Sequence, residues 1–421
     1  MKILMVTDSF YPQAGGAETV VLQESRQLAK RGHEVSVLAG TPHGELAGEE
    51  RWQGLRIYRF PIITRNFPVY CASTILQARR WVEQLLSAQR FDVLNFHSPL
   101  SCLGVCAHPG SRTIPRVVNF YAPWREEFQF EAAVRIRQAS PGRRLWLRTK
   151  FGAIARTEGY LHERALASCH AIRVMSLYSA QQIEAHFPRV PLTHVHLIQA
   201  GVDLGRFEPK DGRDVARQRL GLPQDTKIVL SIRRLVPRMG LEALIEATQI
   251  LLDTHLEVKL VIVGTGFYEA ALREFVSQRG LQGRVVFTGY VQESQLPLYY
   301  RAADLFVLPS AALEAFGLVT LEALASGTPV LATTVGASGE LLRGLDEQML
   351  MASRNPSDIA ARLERVLSSK DSDLSRRCRE YAVTKFNWGE KVVLLEGLYR
   401  SLNGKSQQKD TVETIQGDIP P

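Results

Sequence analysis

The residues with the clearest potential for chemistry lie between positions 309 and 330. Glu314 and Glu322 are separated by seven residues and flank the tripeptide Phe316-Gly317-Leu318, which begins a helical pattern after the apolar run 305–308. The free backbone amides and the positive dipole end of a helix can hold a diphosphate. Because two carboxylates cannot also contact phosphates, hydroxyl groups are their natural partners. We expect the tripeptide to bind a diphosphate, Glu314 to bind sugar hydroxyls and Glu322 to bind a ribose diol.

A second charged segment, Arg234-Leu235-x2-Arg238-x-Gly240, follows the predicted strand Ile228–Ile232. When a bond from a sugar to a diphosphate breaks, negative charge grows on the leaving group, and preorganised cations or amides stabilise the transition state. Arg234, Arg238 and the helix start could therefore replace a magnesium ion. We expect no metal ion and no other cofactor. The acidic pair Asp371-x-Asp373 lies in a polar turn, where it indicates a helix cap.

Two residues of the amino-terminal half follow predicted strands. Gly16 lies in the pair Gly15-Gly16 after the strand Lys2–Thr7, and the absence of a Cβ lets the backbone approach a phosphate or an acceptor closely. An ordinary turn before a helix would use the same pair. His97 ends the strand Val93–Phe96 and so points toward the ligand-binding edge of a parallel sheet. His97 is therefore a candidate residue on the acceptor side, and a hydrogen-bonded structural histidine is the other interpretation of the same position.

Four segments together resemble the retaining glycosyltransferases of family 4, which have the GT-B fold. They are Gly15-Gly16-Ala17-Glu18, Ala200-Gly201-Val202-Asp203-x2-Arg206-Phe207, Arg234-Leu235-x2-Arg238-x-Gly240 and the block from Glu314 to Glu322. The resemblance implies a metal-independent, hexosyltransferase-like enzyme that moves a hexose-type sugar from a nucleotide diphosphate sugar to a hydroxyl acceptor with retention of configuration. The implied acceptor is a saccharide or a lipid-linked intermediate of polysaccharide or glycolipid biosynthesis.

The same resemblance implies roles for individual residues. The catalytic residues would be Glu314, Arg234 and Tyr121. The donor-binding residues would be Gly16, Arg234, Arg238, Val291, Phe316, Gly317, Leu318 and Glu322, with the backbone near Val291 facing the nucleotide base. His97 stays the candidate on the acceptor side.

Three positions depart from the family pattern. Tyr121 stands where the family has a histidine, Met239 replaces a phosphate-binding lysine, and Arg233 replaces a glycine. A phenol can bond a sugar hydroxyl but is a poor general base at neutral pH. The long guanidinium of Arg238 could still reach the phosphates. Tyr121 and Met239 leave a non-catalytic nucleotide-sugar-binding protein as one alternative, and a nucleotide-sugar 2-epimerase on the same fold, which would bind the same donor, is the other.

The pattern of short apolar runs alternating with helical segments predicts an α/β fold with two facing, doubly wound Rossmann-like domains and an active site in the cleft between them. We expect an acceptor-binding domain over residues 1–204 and a nucleotide-sugar-binding domain over 205–385, after a glycine- and proline-containing linker. Residues 386–403 would form a helix that packs back on the first domain. The polar segment 404–421 is predicted to be a disordered tail.

The charge of the chain is concentrated in its first half. Residues 1–200 carry 24 basic and 15 acidic side chains, a net charge of +9, whereas the remainder has a net charge of −1. Within the segment 135–156, seven basic residues alternate with large apolar ones. This mixture suits an anionic membrane surface or a phosphate-bearing acceptor, and a solvated helix face is the alternative. No motif for reading nucleic acid accompanies the charge, so we expect no nucleic-acid partner.

The composition and the five cysteines indicate an ordinary globular protein. Hydrophobic residues make up 45% and charged residues 22% of the chain, and no apolar run reaches 18 residues. The odd, scattered cysteines suggest reduced thiols. We expect a cytoplasmic protein, and the basic segment adds peripheral binding to the inner face of the cell membrane as one interpretation. Cys102-x3-Cys106 could suggest a metal site with His97 and His108, but its segment reads more simply as a small-residue helix in a core.

Overall fold

The computed structural model describes residues 1–11, 15–42, 48–369 and 371–404. The chain divides into two compact units, one formed by Met1–Ala200 with the segment that begins at Trp388, and the other by Gly201–Asn387. Both units contain sheets that are parallel, apart from one edge pair in the first unit, with crossover helices, so the predicted α/β class with two Rossmann-like domains is confirmed. Apart from Gly404, the predicted disordered tail lies outside the described residues.

The first unit contains a sheet in the order β3-β4-β2-β1-β5-β6-β7-β8. The strands are β1 (Lys2–Thr7), β2 (Glu34–Pro42), β3 (Gly48–Trp52), β4 (Leu55–Ile62), β5 (Val93–Phe96), β6 (Arg116–Asn119), β7 (Ala171–Val174) and β8 (Val195–Leu197). The helices are α1 (Gly16–Lys30), α2 (Phe67–Ala88), α3 (Pro99–Cys106), α4 (Trp124–Gln138), α5 (Pro141–Ala167) and α6 (Leu177–His186). Only the β3–β4 pair is antiparallel among the described strands. Strands β2 to β4 lie on one side of β1 and strands β5 to β8 on the other, so the strand order reverses between β1 and β5.

The second unit contains a parallel sheet in the order β11-β10-β9-β12-β13-β14. The strands are β9 (Lys227–Ile232), β10 (Val258–Val263), β11 (Val285–Gly289), β12 (Leu305–Leu308), β13 (Val330–Thr333) and β14 (Leu350–Met351). The helices are α7 (Arg213–Leu220), α8 (Leu241–Asp253), α9 (Glu269–Gln278), α10 (Leu296–Ala302), α11 (Leu318–Ala325), α12 (Ser338–Leu342), α13 (Pro356–Leu367) and α14 (Leu374–Lys385). Because β9 and β12 are neighbours, the reversal of strand order lies between them.

The last helix, α15 (Trp388–Leu402), belongs to the first unit and packs against α1. Its aromatic residues Trp388 and Tyr399 are buried. The Glu396 carboxylate accepts a hydrogen bond from Arg31 Nε, at the end of α1, over 2.7 Å. Apolar burial and this ion pair therefore join the carboxyl-terminal helix to the first unit. None of the helices in the described part of the chain is both long and apolar enough to cross a membrane.

Candidate active site

The candidate donor site lies where the strand order of the second unit reverses, between β9 and β12. Open α/β sheets bind ligands beyond the carboxyl ends of the strands at such a point, because the flanking loops diverge and leave a crevice. The loop 233–240 follows β9 and the loop 309–317 follows β12. These loops carry most of the residues that the sequence assigns to the donor.

Two glycines allow the loops of this crevice to approach one another. Gly240 has a φ of 70°, and a Cβ there would overlap the carbonyl oxygen of Pro309. Gly264, directly after β10, has a φ of 129°, and a Cβ would overlap the carbonyl oxygen of Arg233. Larger residues would be strained at both positions and would push the backbones apart. The glycines therefore fix the loop after β9 between its two neighbours.

Glu314 is held by two donors in the loops of this crevice. Its Oε2 atom accepts a hydrogen bond from Arg233 Nη2 over 2.7 Å and another from Ser310 Oγ over 2.7 Å. The Arg233 guanidinium also donates to Ser310 Oγ over 2.9 Å, which closes the group. The Glu314 side chain is 13% exposed. Oε2 is thus saturated by two protein donors, so a ligand hydroxyl group would have to bind at Oε1.

The two predicted phosphate-binding arginines lie in the same loop. Arg234 is exposed, and Arg238 is partly buried and donates from Nη1 to the carbonyl oxygen of Leu313 over 3.2 Å. The backbone N–H of Ala311 donates to the carbonyl oxygen of Arg238 over 2.8 Å, which ties this loop to the one that carries Glu314. The structure therefore brings Arg234, Arg238 and Glu314 into one charged region.

The predicted diphosphate-binding tripeptide lies at the start of α11. Gly317 is the residue that caps this helix, Leu318 is its first residue, and Phe316 is buried beside them. The positive end of the α11 dipole therefore faces the carboxyl edge of the sheet, as an anion site requires. Val291 is buried two residues beyond β11, at the same edge of the sheet. Its predicted place beside the nucleotide base remains a prediction.

Glu322 lies inside α11 and accepts a hydrogen bond from the phenol of Tyr300 over 2.7 Å. Burial raises the pKa of Glu322 to about 7, although the Tyr300 hydrogen bond and the positive charge of Arg206 oppose this shift. Burying a carboxylate at this depth costs desolvation free energy in the unliganded protein, and hydrogen bonds from the two hydroxyl groups of a ribose could offset that cost. The contact between Glu322 and a ribose diol remains a prediction.

Glu322→Gln is expected to stabilise the unliganded protein at pH 8 while weakening nucleotide binding. Because the folded state raises the pKa from its ordinary 4.5, the extra stability of wild type is complete below about pH 4.5 and is lost as the pH rises through about 7. Glutamine avoids that loss, which amounts to as much as about 3 kcal/mol, and its carbonyl can still accept from Tyr300. Urea unfolding at pH 5 and pH 8 measures the difference. If the free energy of unfolding of Glu322→Gln differed from that of wild type by the same amount at pH 5 and at pH 8, this account would be contradicted.

The first unit has a comparable group of polar residues where its own strand order reverses, between β1 and β5. Asp8 Oδ1 accepts from the backbone N–H of Ser101 over 3.0 Å, and Ser98 Oγ accepts from the backbone N–H of Asp8 over 3.0 Å. Burial raises the pKa of Asp8 to about 6. The sequence interpretation missed this aspartate. An acid directly after the first strand was the available signal, but its partners are about ninety residues away.

Tyr121 and His97 are in direct contact in the first unit. His97 Nδ1 and the Tyr121 hydroxyl are 2.7 Å apart, and the amide of Asn95 faces His97 Nε2 at 3.2 Å. Burial lowers the pKa of His97 to about 3 and raises that of Tyr121 well above its ordinary value. Both side chains are therefore neutral at pH 7. If the Asn95 amide donates to Nε2, His97 donates from Nδ1 and the phenol keeps its own proton for a ligand.

The His97 ring is fully buried, so the geometry favours the alternative of a structural histidine that supports Tyr121. Its role on the acceptor side remains a prediction, as does that of Gly16, which is exposed and begins α1. The helix predicted around Cys102 and Cys106 is confirmed as α3. The structure adds Cys169, whose thiol is 3.7 Å from that of Cys102. These three sulfurs lie within 4.8 Å of one another, a group that could hold a metal ion but that also packs in the core.

Comparison with known proteins extends over both units. Residues 14–206 match the family model described as Glycosyltransferase Family 4, and residues 212–385 match the model described as Glycosyl transferases group 1. A D-inositol 3-phosphate glycosyltransferase of Acidothermus cellulolyticus is 28% identical over 92% of this chain and 86% of its own length. An alpha-monoglucosyldiacylglycerol synthase of Streptococcus pneumoniae is 27% identical over 79% and 71%.

The fold comparison agrees with the sequence matches. Sucrose-phosphate synthase from Thermosynechococcus elongatus superposes with a TM-score of 0.77 and 22% identity, over 96% of this chain and 100% of that chain. The matches to both units identify a glycosyltransferase that uses a nucleotide-sugar donor and has the GT-B fold. The chain belongs to glycosyltransferase family 4.

Proposed function

We propose that the protein is a retaining, metal-independent glycosyltransferase that moves a hexose-type sugar to a hydroxyl group. The observation that carries the proposal is the Glu314 carboxylate, which two donors hold at the crevice beside Arg234, Arg238 and the start of α11. One carboxylate oxygen remains for sugar hydroxyls, and the cations and helix amides suit the charge of a leaving diphosphate. The site thus separates sugar binding from stabilisation of the leaving group.

The proposed reaction occurs on one face of the sugar. The bond from the anomeric carbon to the phosphate oxygen breaks, and the acceptor oxygen bonds to the same carbon from the same side. The acceptor proton passes to the departing phosphate oxygen, so no side chain has to act as general base. Tyr121 fits this route because a phenol with a raised pKa stays protonated and can donate to a sugar hydroxyl. Glu322 and the backbone near Val291 would hold the nucleoside.

A donor panel is the experiment that tests this function. The protein is incubated with UDP-, GDP- and ADP-sugars together with lipid-linked, polysaccharide and small soluble acceptors. Nucleoside diphosphate release and a new glycosidic bond are measured together. Transfer supports the proposal, whereas conversion of the donor to its 2-epimer supports an epimerase. Tight donor binding without either product supports a non-catalytic binding protein.

Activity is expected to persist in excess EDTA, because Arg234, Arg238 and the α11 amides supply the positive charge that a metal would otherwise provide. Initial rates before and after chelation measure this, with and without added Mg²⁺ or Mn²⁺. Loss of activity that Mg²⁺ or Mn²⁺ restores would contradict a metal-independent site. Restoration by Zn²⁺ alone would point instead to the thiols of Cys102, Cys106 and Cys169.

For the acceptor, we propose a glycolipid or polysaccharide intermediate at an anionic membrane surface in the cytoplasm. The support comes from α5, where Leu145 and Trp146 are 73% and 53% exposed beside the exposed cations Arg143, Arg148 and Lys150. Exposed apolar groups surrounded by cations favour the interface of an anionic membrane. One relative is named for a glucosylated diacylglycerol, which agrees with a lipid. Another is named for inositol 3-phosphate, which keeps a phosphate-bearing soluble acceptor as the second candidate.

A further inference from the structure

The guanidinium of Arg233 is the most deeply buried charge in the crevice between β9 and β12. Its side chain is 4% exposed, and its Nη atoms donate to Glu314 Oε2 and Ser310 Oγ over 2.7 and 2.9 Å. Ser310 Oγ in turn donates to the same Glu314 oxygen. Arg233 and Ser310 therefore fix the orientation of one carboxylate, and they do so from the two loops that follow β9 and β12.

Besides Glu314 and Ser310, the Arg233 guanidinium contacts the side chain of Met239. Met239 Sδ lies 2.7 Å from Arg233 Nη2, on the same loop and facing the same guanidinium. A thioether is a weak acceptor that does not compete with the carboxylate for the charge. Glu314 is therefore the only carboxylate that forms an ion pair with Arg233 in the described part of the chain. A lysine at position 239 would therefore carry its ammonium group close to the Glu314 carboxylate that Arg233 now contacts.

We propose that Arg233 is the positioning residue of Glu314: it acts on glycosyl transfer through that carboxylate, and a lysine at position 239 can replace it. This inference rests on the proposed role of Glu314 at the sugar. Because Arg233 and Ser310 saturate one oxygen, the other is held in one orientation before the donor arrives. Such preorganisation favours the transition state more than the ground state. Loss of Arg233 should therefore lower kcat more than it raises the KM for the donor.

The first test is Arg233→Gln in the full-length protein, measured with the donor that the panel identifies. We expect kcat to fall by about thirtyfold while the donor KM changes by less than about threefold. Arg233→Lys, which keeps the charge but not the fork of two donors, should lie between wild type and Arg233→Gln and also serves if the glutamine variant unfolds. Unchanged kcat in both variants would overturn the proposal.

The second test asks whether Arg233 acts through Glu314. Arg233→Gln combined with Glu314→Gln should be no slower than Glu314→Gln alone, because the two residues form one unit. Met239→Lys added to Arg233→Gln should recover about tenfold of the lost kcat, since it restores a cation beside the carboxylate. Full additivity of the two glutamine substitutions, together with no recovery by lysine, would reduce Arg233 to a purely structural residue.

Arg217 provides the matched control. Its side chain is also 4% exposed, and its Nη2 donates to Asp304 over 2.5 Å in the same unit. Asp304 precedes β12, so this pair lies at the opposite end of the sheet from the crevice. Arg217→Gln should lower the melting temperature without the selective loss of kcat. If wild type were inactive, or if Glu314→Gln were fully active, the proposed function itself would be contradicted. If Glu314→Gln were inactive while Arg233→Gln stayed active, only the inference about Arg233 would be contradicted.

Discussion

Glu314→Gln is expected to lower turnover by about a hundredfold while the protein stays folded. The substitution keeps the shape of the side chain and its carbonyl acceptor but removes the negative charge that is held beside the sugar. It also leaves the buried Arg233 without its ion-pair partner, which costs stability. The measurement is kcat with the preferred donor, accompanied by the melting temperature and the affinity for the nucleoside diphosphate. Nucleotide affinity should change little, because the phosphates are assigned to other groups.

Glu246→Gln is the control for this substitution. Glu246 pairs with Arg279 over 2.5 Å in the same unit, but it lies on α8, outside the loops of the crevice. Its replacement removes an equal charge and an ion pair while leaving the candidate site intact. Both variants should lose some stability, and only Glu314→Gln should lose turnover. Near wild-type turnover by Glu314→Gln would remove this residue from the mechanism.

Reversal of three charges on α5 is expected to abolish binding to anionic vesicles. Each lysine or arginine near an anionic surface contributes about 1 kcal/mol, so Arg143→Glu, Arg148→Glu and Lys150→Glu together should weaken binding by well over a hundredfold. Co-sedimentation with phosphatidylglycerol and phosphatidylcholine vesicles measures this. Wild type should bind only the anionic vesicles. Salt should release it, because the Debye length falls from about 8 Å at physiological ionic strength to about 3 Å at 1 M.

Arg144 is left unchanged in that variant because its guanidinium donates to the carbonyl oxygens of Ala139 and Arg137 at the end of α4. Reversing its charge would disturb the helix as well as the surface. The control places the same charge change elsewhere on the first unit, at the exposed residues Arg79, Arg80 and Arg90. Loss of binding in both triple variants would indicate a response to net charge alone. Equal recovery of wild type from both kinds of vesicle would favour a soluble acceptor.

Most of the fold was predictable because buried parallel strands are continuous apolar runs with polar segments between them. The runs at β1, β5 and β12 have the same bounds in the sequence interpretation and in the structure. The strand β3 was missed because its sequence, Gly-Glu-Glu-Arg-Trp, lies at the sheet edge and has no apolar alternation. The two-residue strand β14 is too short to leave a pattern.

The candidate site was predictable only where its residues are close in the sequence. The segment from Glu314 to Glu322 and the arginine loop after β9 each contain a recognisable motif. The contact between Arg233 and Glu314 joins residues that are 81 positions apart, and that between Asp8 and Ser98 joins residues 90 apart. Such pairs are formed by strand order, which a single sequence does not encode locally. The burial of His97 likewise depends on side chains from several strands.

The configuration of the product is the most direct test of the central claim. The protein is incubated with an α-linked nucleotide sugar and its acceptor in excess EDTA, and the anomeric proton of the new glycosidic bond is observed by NMR. A retaining, metal-independent transferase predicts an α-linked product together with an equal amount of nucleoside diphosphate. A β-linked product would contradict retention, and the absence of product until Mg²⁺ or Mn²⁺ is added would contradict the assignment of the leaving-group charge to Arg234, Arg238 and the α11 amides.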